Sequence, residues 1–243
     1  MNIMLFSNGK IAGNTMLLEF GFSWLKPMIK KTNAKKLLFI PYAMIRGHYD
    51  DRTQQLNDGL GQFGCEVTGI HTCDDPIAAI NECDGIIVSG GNTWVLNKMI
   101  HDQGLVGPLR DAIIKQEKLY IGWSAGTNIA SPTIRTTNDM PIVTAAILPS
   151  LNLVPFQINP HYIEASVSGH MGETRDERIE EFLILNQHEF VVAIPEGSML
   201  KVEGKKLSYH SVEERKLKIF SHGKPAQSVD SDSDLTHCLD HSC

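Results

Sequence analysis

Residues 119–130 read Leu119-Tyr120-Ile121-Gly122-Trp123-Ser124-Ala125-Gly126-Thr127-Asn128-Ile129-Ala130. The apolar run from Leu119 to Trp123 predicts a buried strand. Gly122 to Gly126 predict a tight turn into a short helix that Pro132 limits. Gly122-Trp123-Ser124-Ala125-Gly126 thus has the form of a nucleophile elbow, a G-x-S-x-G sequence at the end of a core strand. Small residues beside the serine let the backbone bend without clashes. The first amides of the helix favour negative charge beside the hydroxyl.

Working outward, Asn2 to Phe6, Lys36 to Ile40, Cys65 to Ile70 and Gly85 to Val88 read as further buried strands. Continuous rather than alternating apolar runs belong to a parallel sheet covered on both faces. Helical patterns lie between them: Thr15 to Ile29, Tyr49 to Phe63, Pro76 to Glu82, Thr93 to His101 and Leu105 to Gln116. The third starts with Asp75 as N-cap and Pro76 at the first helical position. This alternation predicts an α/β fold, a mostly parallel sheet with helices on both faces and right-handed crossovers.

Residues 131–172 carry Pro132, Pro141, Pro149, Pro155 and Pro160 without sustained periodicity, and read as a functional loop region. Thr174-x-x-Glu177 matches a capping box, Phe190 to Ile194 another core strand. Met199 to Val202, Lys206 to Tyr209 and Lys216 to Phe220 read as short antiparallel strands. Beyond Ser221 the composition shifts to Ser, Asp and His. The expectation is one α/β domain over residues 1–221 and a disordered tail over residues 222–243, in which His237, Cys238, His241 and Cys243 hold no metal.

The whole chain of 243 residues is 42% hydrophobic and 21% charged, as in an ordinary globular protein. Lys+Arg at 22 against Asp+Glu at 28 gives a net charge of −6 without a basic run, which argues against nucleic acid as a partner. No apolar run reaches the roughly 20 residues that span a bilayer, and the N-terminus lacks the basic start and apolar core of a signal peptide. With Cys65, Cys73, Cys83, Cys238 and Cys243 and no CxxC pair, the expectation is reduced thiols, with the pair near the C-terminus able to cross-link in an oxidised sample, and no metal, no membrane and a cytoplasmic location.

A serine needs a base, and histidine titrates near neutrality. His161, in Ile158-Asn159-Pro160-His161-Tyr162, is the first choice and His170 the second. Gly90-Gly91-Asn92-Thr93 ends the strand Gly85 to Ser89, so its amides face the same crevice as the serine turn. The N–H groups of Gly91 and Ala125 can then form one oxyanion hole.

The chain resembles the peptidase E, or aspartyl dipeptidase, family. The resemblance rests on Ser89-Gly90-Gly91-Asn92-Thr93, on Tyr120 to Gly126 and on the stretch from Pro132 to Val143. It continues through Gln157-Ile158-Asn159-Pro160-His161, Gly172-Glu173-Thr174-Arg175 and Pro195-Glu196-Gly197. It implies a class I glutamine-amidotransferase-like (flavodoxin-like) fold and a serine exopeptidase cleaving dipeptides with N-terminal aspartate. No cofactor is implied, and the enzyme would be a monomer or homodimer. Carried over, Ser124 is the nucleophile, His161 the base, and Gly91 and Ala125 the oxyanion donors. Asp139 is favoured as third member, with Glu196 as the alternative. A guanidinium fork suits the substrate carboxylate, and Arg135 is preferred over Arg175. Glu173 is assigned to the substrate amine. The rivals are a cyanophycinase-like hydrolase of aspartyl-arginine and a catalytically silent binding protein.

Overall fold

A computed structural model describes residues 1–144, 147–164 and 172–240. His170, His241 and Cys243 lie outside the described residues. Among the described residues, eleven strands and seven α-helices follow one another, and the strands form two sheets. The larger has the order β3-β2-β4-β5-β1-β8-β9, built from β1 (Asn2–Phe6), β2 (Lys36–Ile40), β3 (Glu66–Gly69), β4 (Gly85–Val88), β5 (Leu119–Trp123), β8 (Ser198–Glu203) and β9 (Lys206–Ser211). The five strands from β1 to β5 pair parallel, while β8 and β9 add an antiparallel hairpin beside β1.

Side chains alternate across this sheet, so each strand feeds two cores. Ile3, Leu38, Ile86 and Tyr120 pack with Leu96 and Ile100 of α4 (Thr93–Asp102) and Leu109 of α5 (Val106–Arg110). Met4, Phe39, Ile87 and Ile121 pack with Leu25 and Met28 of α1 (Phe22–Thr32) and Leu56 of α2 (Tyr49–Leu60). Helices therefore cover both faces, and α3 (Pro76–Glu82) begins at the expected Asp75 cap.

The second sheet has the order β11-β10-β7-β6, from β6 (Gln157–Tyr162), β7 (Phe190–Pro195), β10 (Leu217–Ser221) and β11 (Gln227–Val229). Strand β6 lies in the stretch expected to be loop. Its polar Gln157 and Asn159 are buried because they bond to Thr133, Thr136, Asn138 and Glu189, and Pro160 is tolerated on an edge strand. Between β5 and β6 lies α6 (Ala125–Asn128), and α7 (Arg175–Leu185) packs on this sheet. The capping box of α7 is formed by Thr174 and Glu177.

The tail expectation is corrected as far as Asp240. β11 pairs antiparallel with β10, Asp232 Oδ1 lies 2.6 Å from His210 Nδ1, and Leu235 and Cys238 enter the main core at 2% and 0% exposure. The polar composition is that of an edge segment, whose few apolar residues are all the core requires. Leu235→Ala should therefore lower unfolding stability by about 2–4 kcal/mol in a denaturant melt. An unchanged midpoint would mean that this segment does not pack in solution.

Candidate active site

The site lies where the carboxyl ends of β4 and β5 meet the second sheet. Ser124 leaves β5 with φ 53° and ψ −110°, and its N–H donates to the Phe6 carbonyl at 3.1 Å. Only very small neighbours permit this bend. A Cβ on Gly126 would stand 2.3 Å from the Val88 carbonyl oxygen, and one on Gly122 would stand 2.5 Å from that of Gly126. Thr127 locks the turn by donating to the carbonyls of Phe6 at 2.6 Å and Gly122 at 3.0 Å.

His161 arrives from the other sheet. The register between β6 and β7 shifts between Pro160 and Tyr162, so His161 is the extra residue of a bulge, with φ 55°. Bulges re-aim side chains, and here His161 Nε2 lies 2.8 Å from Ser124 Oγ. Its Nδ1 lies 2.7 Å from Glu196 Oε1, in the turn between β7 and β8. The wholly buried Ser7, just beyond β1, fixes both parts: its hydroxyl donates to the Ile194 carbonyl at 2.9 Å and accepts from the His161 N–H at 2.8 Å. Asn8 Oδ1 accepts from the Gly197 N–H at 2.8 Å, which holds the turn carrying Glu196.

The amide side of the site is equally constrained. Gly91 has φ 143°, and a Cβ there would stand 2.1 Å from the Ala43 carbonyl oxygen. Its neighbour Asn92 donates its N–H to that carbonyl at 2.8 Å. A Cβ on Gly90 would reach 2.9 Å from Ser124 Cβ, so the glycine turn abuts the serine. The Gly91 N–H has no acceptor among the described residues. Ala125 heads α6, where first-turn N–H groups have no helical acceptor.

Asp139, the favoured third member, does not touch His161, and the expectation is corrected. Its carboxylate accepts from the Thr93 N–H and hydroxyl, both at 2.7 Å, and so caps α4 directly behind the Gly90-Gly91 turn. Arg135 is also corrected. Its guanidinium bonds Asn186 and Glu189, donates from Nε to Thr133 Oγ1 at 3.0 Å and lies over the Phe182 ring. Those contacts fasten the loop to the end of α7 rather than to the serine. Glu173 is exposed and paired with Arg178 at 3.5 Å.

Arg175 differs from both. It is half-buried, has no carboxylate partner among the described residues, and donates to Asn138 Oδ1. Asn138 in turn donates from Nδ2 to the Pro160 carbonyl at 2.7 Å, one residue before His161. Burial, with like charge from Arg178, pulls the Arg175 guanidinium below its ordinary range, yet an arginine stays cationic there. Sequence reading ranked Arg135 above Arg175 because Arg135 shares a segment with Asp139. It missed Ser7 and Asn8 altogether, since two small polar residues after a strand carry no local signal of a partner about 190 positions away. Among the described residues, no group of three His, Cys, Asp or Glu side chains is arranged to hold a metal ion, and no helix is long and apolar enough to cross a membrane.

Ser7 is the joint of the arrangement. Ser7→Ala leaves a buried N–H and a buried carbonyl without this partner and should cost about 1–3 kcal/mol in a urea melt. An unchanged midpoint would show that the two sheets do not depend on this hydroxyl.

Known proteins share this arrangement of chain. The family model of peptidase family S51 matches residues 3–210. Peptidase E of Shigella flexneri serotype 5b (strain 8401) is 42% identical over 202 residues, which is 83% of this chain and 86% of that protein. Peptidase E of Escherichia coli O1:K1 / APEC matches with the same identity and coverage. Two crystal structures share the fold. A candidate peptidase E protein from Listeria monocytogenes EGD-e has a TM-score of 0.61 at 23% identity, covering 87% of this chain and 98% of that one. A peptidase from an acI-B1 Actinobacterium has a TM-score of 0.68 at 16% identity, covering 96% of each chain. A family match over residues 3–210 and 42% identity over 83% of the chain leave one assignment: the chain belongs to peptidase family S51 and is a peptidase hydrolase.

Proposed function

We propose that the chain is a serine exopeptidase that hydrolyses dipeptides with N-terminal aspartate. The observation that carries this reading is the unbroken relay from Ser124 Oγ through His161 to Glu196, at 2.8 and 2.7 Å. The turn at Ser124 acts as a nucleophile elbow. The strand order supports the finer fold reading. Counted from β2, the parallel strands run in the flavodoxin-like order 2-1-3-4, with β1 in the fifth place.

The steps follow from proton positions. Neutral His161 donates from Nδ1 to the Glu196 carboxylate, which leaves Nε2 to accept the Ser124 proton as Oγ attacks the carbonyl after aspartate. The Gly91 and Ala125 amides meet the developing oxyanion. Glu196 stabilises the imidazolium, which protonates the leaving amine, and the aspartyl-enzyme is then hydrolysed by water that His161 deprotonates. These side chains and amides supply nucleophile, base and oxyanion donors, so the scheme invokes no cofactor. Arg175 pairs with the aspartyl carboxylate. Its half-buried cation, without a carboxylate partner among the described residues, supports this role, since a planar fork meets a carboxylate with two parallel, charge-assisted bonds.

Asp-Leu, Asn-Leu and Glu-Leu assayed side by side, with EDTA present, test the reading. Cleavage of Asp-Leu should exceed that of Asn-Leu roughly 100-fold or more, and Arg175→Met should erase most of the difference. Ser124→Ala should lower kcat by about 10⁴-fold or more. Wild-type turnover in Ser124→Ala would overturn the mechanism, and equal cleavage of Asp-Leu and Asn-Leu would overturn the substrate.

A further inference from the structure

One residue beyond His161, Tyr162 turns its ring into the small core between the second sheet and α7, where it is 4% exposed. Its hydroxyl donates to Asp176 Oδ1 at 2.6 Å. Asp176 is the second residue of α7 and directly follows Arg175. From β10, Lys218 reaches under both. Its Nζ lies 3.3 Å from Asp176 Oδ2, 2.9 Å from Glu164 Oε1 and 5.6 Å from the centre of the Tyr162 ring. The lysine side chain is only 13% exposed, so it is committed to this cluster rather than to solvent.

The cluster ties together two pieces of chain that have to be registered for substrate selection. One is the end of β6, which presents His161; the other is the first turn of α7, which presents Arg175. We propose that Lys218 is a positioning residue for aspartate selection. Through Asp176 and Tyr162 it sets the distance between the Arg175 guanidinium and the Ser124–His161 pair. This inference rests on the reading of Arg175 given above.

Three arguments support it. A buried ammonium is retained only when its partners outweigh desolvation. Burial works against the Lys218 cation, but Glu164, Tyr162 and Asp176 together hold it above the ordinary lysine range. Burial and the bond to Asp176 push the Tyr162 hydroxyl up to about 12, which keeps it a donor to Asp176 at neutral pH. The second argument is geometric. Arg175 also touches Asn138, which holds the Pro160 carbonyl, so the guanidinium is braced from both sides of His161. The third is economy of stability: a lysine whose only task was packing is replaceable by an apolar side chain of similar length.

Lys218→Met keeps the stem and removes the charge, so kcat and KM are measured for Asp-Leu and Asn-Leu in this variant, in Lys218→Arg and in Arg175→Met. Lys218→Met should raise KM for Asp-Leu roughly ten-fold with kcat within about three-fold, and shrink the preference for Asp-Leu over Asn-Leu by a similar factor. Lys218→Arg should restore most of that preference. Tyr162→Phe, which removes only the hydroxyl, should shift KM in the same direction and serves if Lys218→Met does not fold. An unchanged preference in Lys218→Met or Tyr162→Phe, while Arg175→Met loses it, would overturn this inference alone. So would an equal loss on both substrates. An unchanged preference in Arg175→Met would instead overturn the substrate reading beneath it.

Discussion

The contact between His161 Nε2 and Ser124 Oγ joins two sheets, and the rest of the molecule is arranged so that this distance holds. Neither residue is positioned by its own sequence neighbourhood alone. Ser124 is placed by glycines that let β4, β5 and α6 approach to a spacing no larger side chain permits. His161 is placed by a bulge on an edge strand and by a hydroxyl from the start of the chain. A hydrogen bond between groups so constrained needs little further ordering at the moment of reaction, which is where positioned catalytic groups gain over free ones.

The same economy explains the role of Asp139. Its carboxylate is occupied by Thr93 at the head of α4, immediately after the turn that presents the Gly91 amide. A negative charge at a helix N-terminus is stabilising, and here it also fixes the loop carrying that amide. Glu196 has the opposite environment. It is about half exposed, sits on a turn gripped by Asn8, and among the described residues its carboxylate bonds only the imidazole. Two carboxylates near one site thus differ in what they touch: one bonds the backbone and hydroxyl at the head of α4, and the other bonds the histidine.

How much of this was legible depended on whether a signal was local. Continuous apolar runs gave β1, β2, β4 and β5 to the residue, because a strand buried on both faces has no choice of composition. The caps at Asp75 and Thr174 were readable for the same reason: each side chain bonds amides two or three residues away. Strand β6 was hidden because its buried Gln157 and Asn159 satisfy partners distant in sequence, and because Pro160 normally argues against a strand. The segment beyond Ser221 looked solvated because it borrows a core instead of forming one. The choice between Asp139 and Glu196, and between Arg135 and Arg175, turned on where side chains point across long loops. Chain order and motif membership carry no information about that direction.

The central claim is that Ser124 is activated through His161 and Glu196, and the rate of covalent labelling of Ser124 by a fluorophosphonate, followed by intact mass, tests it without reference to any peptide. Glu196→Gln should slow labelling by roughly two to four orders of magnitude, while Asp139→Asn, acting only through the Thr93 contacts, should stay within about ten-fold of the unaltered protein. Labelling that survives Glu196→Gln but collapses in Asp139→Asn would contradict the account and return the third position of the relay to Asp139.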